Sequence, residues 1–494
     1  MRDVLAKLGR HGLVFSIGLL LSRLVGFVVL PFLTRSLDEW QYGVHDLLAQ
    51  TGMIVGMIAA LGLPSAVFRW YVYEAETPED RRRALATGFR ATAVSSVIVG
   101  LLLALPATPI ARELAGGRTG FASLYVLILL TYVMQNLRNV CISILRAEYR
   151  STQFLIVYCV EFLLCVGLNL WLVVGLRLGV AGLVWSNLIG AAVALALGMA
   201  FVPGVWRGGS DRAMLRRMIG FGAPLVPQAL AFFLLDSLDR YCLNGLLDDG
   251  ADVVGLYGRG AQFATILHAA LILPFTTLWP NVFYELAKRE DGPRDIGRFA
   301  SYYAVVAGFL AAGLAACGEP LVRLMTDAKY HSCHVVVPIL ALSIVLFGAN
   351  EFPRVGFLVK SRTRMLPVLV GVAVVVNLAL NLALIPRYGM LGAAWASVGA
   401  YVVLVLLHAR FGQRLYRLEY EWGRIAKATV ATAAALALAW AWPSSGSALA
   451  DLFLRGGTVA VAQPLLVLAS GFLTPGEKSL IREKLTRKRA SSSD

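Results

Sequence analysis

Charge is what this sequence has little of. Only 15% of its 494 residues are Asp, Glu, Lys or Arg, against 58% hydrophobic, and the mean hydropathy is +0.70. Soluble domains need roughly a quarter of their residues charged to cover their surface, so a water-soluble globule is excluded. Cysteine is scarce too: Cys141, Cys159, Cys165, Cys242, Cys317 and Cys333 fall mostly in apolar runs, and no disulfide framework is implied. His331, Cys333 and His334 lack a fourth ligand nearby, which argues against a metal site. The stretch from Gly471 to Ser479 comes near a phosphate-binding loop, but Glu477 intervenes before Lys478 and no strand precedes it. No cofactor is expected. Two-residue alternation is absent from the apolar runs, which excludes a membrane β-barrel. No soluble ATPase domain and no long catalytic loop is left over, so neither a primary pump nor a membrane glycosyltransferase or polymerase fits.

What is present is a series of long apolar runs. A hydrocarbon core about 30 Å thick takes roughly 20 residues of helix, and about fourteen segments meet that length. They lie near 13–34, 44–64, 88–110, 120–142, 152–175, 178–202, 219–246, 253–278, 298–320, 331–352, 365–386, 389–409, 425–442 and 448–474. Short cytoplasmic loops retain Lys and Arg during insertion. With the N-terminus inside, the inner loops hold 34 of the 45 basic residues and the outer loops nine, so both termini are expected in the cytoplasm. The net charge of +15 is thereby spread over loops facing anionic inner-leaflet lipid, and nucleic acid is not an expected partner.

Internal repetition gives the domain organisation. Arg177-Leu178-Gly179 and Gly182-Leu183-Val184-Trp185 match Arg387-Tyr388-Gly389 and Gly392-Ala393-Ala394-Trp395 at a constant offset, and Gln41-Tyr42-Gly43 resembles Leu256-Tyr257-Gly258. The expected architecture is all-α: two six-helix bundles, 1–202 and 218–410, related by an axis along the membrane normal. A cytoplasmic linker spans 203–217, two more helices span 411–475, and a basic tail covers 476–494.

Charges inside the spans are costly and mark function by default. Arg23 sits in the first helix, and Asp236, Asp239 and Arg240 in the seventh, where Asp236 and Arg240 are spaced to pair. These four, with Arg138 in the fourth helix, are the candidate cavity residues. Glu161, a carboxylate alone in the fifth helix, and His268 in the eighth are candidates for ion coupling. Pro224 and Pro227 each remove a backbone hydrogen bond and mark a candidate hinge.

Several short motifs, in this order along the chain, resemble polysaccharide flippases of the multidrug/oligosaccharidyl-lipid/polysaccharide exporter superfamily. They are Ser22-Arg23-Leu24-Val25-Gly26-Phe27, Leu145-Arg146-Ala147-Glu148, Asp239-Arg240, and the run from Ile385 to Ala394. The resemblance implies flipping of undecaprenyl-diphosphate-linked oligosaccharide units, such as O-antigen or capsule repeats, across a bacterial inner membrane, alongside polysaccharide polymerase machinery. The first motif is also similar to that of lipid II flippases, but Leu61-Gly62-Leu63-Pro64-Ser65-Ala66 lacks the basic, Phe-rich pattern of that branch. A cation-coupled small-molecule exporter of the same superfamily, working through Glu161, is the other alternative.

Overall fold

The computed structural model describes residues 27–360, 362–474 and 476–477. Among these no strand occurs, and eleven helices are long and apolar enough to cross a membrane. The chain is an all-α, multi-pass membrane protein. Arg23 and the basic tail from Lys478 onward lie outside the described residues.

The helices in order are α1 (Phe27–Ser36), α2 (Glu39–Ala60), α3 (Pro78–Ala104), α4 (Ala122–Ala147), α5 (Ser151–Gly175), α6 (Val180–Phe201), α7 (Leu225–Leu246), α8 (Gly250–Leu286), α9 (Gly292–Met325), α10 (Ala328–Val359), α11 (Met365–Leu415), α12 (Trp422–Trp440) and α13 (Ala448–Ala469). The fourteen apolar runs and the eleven helices are compatible. The 51-residue α11 contains two of the runs, 365–386 and 389–409, joined through a backbone kink at Gly389. The runs 44–64 and 331–352 fall on α2 and α10 despite their polar starts.

Local chemistry sets the helix ends. Gln41 Oε1 accepts from the Asp38 N–H (3.1 Å) at the start of α2, and Leu61 and Gly62 end that helix in the left-handed region (φ 49° and 65°). Thr77 and Asp80 form a capping box ahead of α3, with Pro78 in the first turn, where its missing N–H costs nothing. The repeat glycines share one unusual conformation: Gly179 has φ 59° and ψ −135°, Gly389 φ 53° and ψ −131°. Side chains rarely occupy this region, so the match is backbone support for the sequence repeat.

Packing groups the chain into two units. The first comprises Met1–Gln262, Met325–Cys333 and Pro367–Ala400; the second comprises Phe263–Leu324, His334–Leu366 and Tyr401–Asp494. In the first, α4 is the hub, packed on α2, α3 and α6. Asn136 of α4 donates to the Gly56 carbonyl of α2 (3.0 Å) and to Ser96 Oγ of α3 (3.2 Å), joining three helices at a fully buried point. In the second unit, α12 presents a stripe of Ala428, Ala431, Ala435 and Ala439, and Arg455 of α13 pairs with Glu319 of α9 (2.9 Å). Every cysteine is a free thiol.

Candidate functional site

The charges of α7 point in different directions. Asp236 is exposed, whereas Asp239 is 1% exposed. The expected Asp236–Arg240 pair is not formed. Arg240 Nε instead donates to Asp46 Oδ2 of α2 (3.0 Å), and its NH1 donates to the backbone carbonyl of Asp236 (3.2 Å). The tertiary partner wins because Asp46 and Arg240 are both largely buried, so each neutralises a charge the other would otherwise strand away from water.

Asp239 is held by neutral donors. Tyr257 OH and Ser397 Oγ both donate to Oδ2 (2.6 Å), and Asn381 Nδ2 donates to Oδ1 (3.1 Å). Asn381 Nδ2 also donates to the carbonyl and the Oδ1 of Asn377, four residues earlier on α11 (3.0 Å each). Asn381 Oδ1 and Asn377 Nδ2 are buried and have no hydrogen-bond partner. The result is one carboxylate inside a shell of amide and hydroxyl groups that donate to it. Such a donor set suits a proton or a hard cation; if a cation is held here, these five side chains would hold it. Rotating the Asn381 amide would turn its oxygen toward Asp239 and, with a cation between them, make it a ligand.

α8 carries a cation of a different kind. Arg259 of α8 lies 4.1 Å over the Tyr42 ring and donates from NH1 to Gln262 Oε1 (2.5 Å). Its Nε is buried without an acceptor, as is the Tyr42 hydroxyl. Among the described residues no carboxylate pairs with it, so its charge is left available to an anion.

The remaining sequence candidates lie elsewhere. Arg138 of α4 and Glu161 of α5 form a buried ion pair with both carboxylate oxygens engaged, so Glu161 is not alone and Arg138 is not a free cation. His268 opens the π-helical turn His268–Ile272 within α8, in the second unit, 6.1 Å from the Phe347 ring. Pro224 precedes α7 and Pro227 occupies its first turn, so both fall at the junction between the helix Arg212–Gly222 and α7. Arg23 lies outside the described residues. Asp239 and Arg240 are thus brought together with Asp46, Tyr257, Asn377, Asn381 and Ser397; Tyr257 is marked in the sequence only by its repeat motif, and the other four by nothing that names them as site residues. One signal was available for the asparagines: two amides four residues apart in the apolar run Val374–Ile385.

Residues 8–284, more than half of the chain, match the family model described as "Polysaccharide biosynthesis protein". The chain belongs to this family. It is 21% identical over 425 residues to a Haloferax volcanii protein named "Probable low-salt glycan biosynthesis flippase Agl15", covering 84% of this chain and 87% of that one. Among solved structures, the fold is similar to "Lipid II flippase MurJ, inward closed conformation", with TM-score 0.75 at 12% identity over 96% of this chain and 100% of that one. It is also similar to the Vibrio cholerae MATE transporter VcmN, with TM-score 0.58 at 15% identity over 84% and 98%. At these identities the likeness to MurJ and VcmN is one of fold.

Proposed function

We propose that this member of the polysaccharide biosynthesis family is a flippase. It carries undecaprenyl-diphosphate-linked oligosaccharide units from the cytoplasmic to the outer face of a bacterial inner membrane by alternating access. Both termini are cytoplasmic, the anionic inner leaflet is its surroundings, and a polysaccharide polymerase receives the product. The observation that carries this reading is Arg259, a half-buried guanidinium with a buried, unused N–H and no carboxylate partner among the described residues. A diphosphate cannot cross hydrocarbon while hydrated, and such a cation replaces its hydration. Arg23, in the first apolar run of the sequence and outside the described residues, is the second positive charge assigned to the head group in this reading. The flippase name of the Haloferax relative and the family membership support the substrate class.

The test compares cells with the wild-type protein, Arg23→Ala, Arg259→Ala or no copy, with membrane expression verified. Precursor trapped on the cytoplasmic face in all but the first supports the reading. Normal outward delivery without the protein overturns it. The lipid II reading rests on fold likeness and remains second. The oxygen-rich shell around Asp239 favours a cation-coupled exporter as the other alternative; drug resistance lost in Asp239→Asn cells that still deliver the glycan precursor would select it.

A further inference from the structure

Helix α2 touches its neighbours backbone to backbone at two places, and both depend on glycine. Near its start, a Cβ at Gly43 would fall on the Ala251 carbonyl of α8, and one at Gly255 on the Glu39 carbonyl. Just past its end, a Cβ at Gly62 would fall on the Gly222 carbonyl, and one at Gly222 on the Leu61 carbonyl. Gly43 and Gly62 are about 28 Å apart along the helix at 1.5 Å per residue, close to the thickness of a hydrocarbon core. All of these residues belong to the first unit.

Each crossing is flanked by separable contacts. At the first, Lys329 Nζ lies 3.2 Å from Asp38 Oδ1, and Tyr330 OH donates to the Leu37 carbonyl (2.9 Å). At the second, the Phe221 ring stands edge-on to Trp70 (6.3 Å) and beneath Arg69 (4.6 Å). Between them the link from α2 to α7 is made by side chains: Asp46 with Arg240 (3.0 Å), Gln50 with Ser237 (3.2 Å) and Thr51 with Tyr241 (3.1 Å). Gly258, the repeat partner of Gly43, leaves room for the Asp46 carboxylate that reaches Arg240.

We propose that α2 is a lever, pivoted on the Gln50–Ser237 and Thr51–Tyr241 contacts, whose two glycine crossings are the alternately opening ends of the transport path. A helix is stiff along its axis, so tilting it about a mid-length contact separates one end while pressing the other closed. Glycine crossings suit this role: the backbones meet closely enough to exclude water and are themselves held by dispersion and weak Cα–H···O contacts, while the buried Asp46–Arg240 pair lies between the crossings, on the pivot side of Gly43. Both crossings are closed in this structure. The inference rests on the protein being a transporter, but its test does not require the substrate to be right.

Two cysteine pairs report the two ends in native membranes: Asp38→Cys with Lys329→Cys, and Trp70→Cys with Phe221→Cys, each cross-linked with a short bismaleimide. Gly43→Ala is expected to lower the first pair's yield about tenfold, the population shift of one overpacked methyl, while the second pair is kept or rises. Gly222→Ala is expected to do the reverse. Yields that fall together, or that do not change, overturn the lever. If either alanine variant fails to fold, the glycine-intact pairs decide: cross-linking either end must stop transport, and transport that continues with one end locked overturns the proposal. Reciprocal cross-linking without precursor flipping would reject the oligosaccharide assignment and leave the lever standing.

Discussion

Arg240 Nε lies 3.0 Å from Asp46 Oδ2, with side chains 11% and 18% exposed, and this pair joins α7 to α2. Removing one partner of a buried pair strands the other, at a cost of about 3–5 kcal/mol. Asp46→Asn and Arg240→Gln are each expected to lower thermal stability in detergent by that order. The double variant should cost less than the sum of the two, and strictly additive losses would refute the coupling.

The oxygen shell around Asp239 predicts a ligand effect. A monovalent cation held there stabilises the folded protein by about 2.7 kcal/mol at a hundred times its dissociation constant. Sodium, lithium and potassium at matched ionic strength should therefore raise the melting temperature unequally in the wild type and equally in Asp239→Asn. Equal effects in both proteins would leave the site to a proton.

Glu161 is occupied by Arg138. Glu161→Gln is accordingly expected to destabilise the protein, and Arg138→Gln with Glu161→Gln to recover part of the loss while precursor delivery persists. Loss of delivery in a stable double variant would restore a coupling role to this pair.

Gly389 adopts φ 53°, and a Cβ added there would meet nothing within 4 Å, so alanine at this position tests the backbone alone. The expected cost is about 1–3 kcal/mol of strain, with no steric component. Gly179, where a Cβ would stand 3.1 Å from Gln41 Nε2, should be at least as sensitive. Unchanged stability in Gly389→Ala would show that the kink relaxes into an ordinary helix.

Asp211 caps the helix Arg212–Gly222. Backbone N–H groups of Met214 and Ala213 donate to it (3.0 and 2.8 Å), and the Met214 bond foremost holds its carboxyl below the usual range. A folded-state value below the unfolded one gives stability that is present above the ordinary carboxylate range and lost as pH falls through the folded value. Protection factors across Arg212–Gly222, corrected for the intrinsic pH dependence of amide exchange, should fall on acidification in the wild type. Asp211→Asn, which caps without titrating, should show less of that fall.

Much of this protein was legible because a membrane makes the sequence code simple. Helix length follows from bilayer thickness, so the runs from 44–64 onward fall on observed helices, and the motifs around Gly179 and Gly389 match in sequence as their glycines do in dihedral angles. Motifs repeated at a fixed offset are readable in the same way, but spacing within one helix is not enough to name a partner: Arg240 passes over the Asp236 carboxylate four residues earlier. Asp46 and Arg240, 194 positions apart, are not readable as a pair.

The sequence by itself determined that the chain is an all-helical membrane protein with an internal repeat and that few charges enter its spans, because burial of backbone and charge in hydrocarbon admits few solutions. Tertiary structure alone decided which charges are paired and which remain. It joined Glu161 to Arg138 and Asp46 to Arg240, wrapped Asp239 in neutral donors, and left Arg259 on the Tyr42 ring without a carboxylate among the described residues. The reason is physical: in a low-dielectric interior a charge is neutralised by whatever lies within about 4 Å, and that distance is set by helix packing, not by position along the chain.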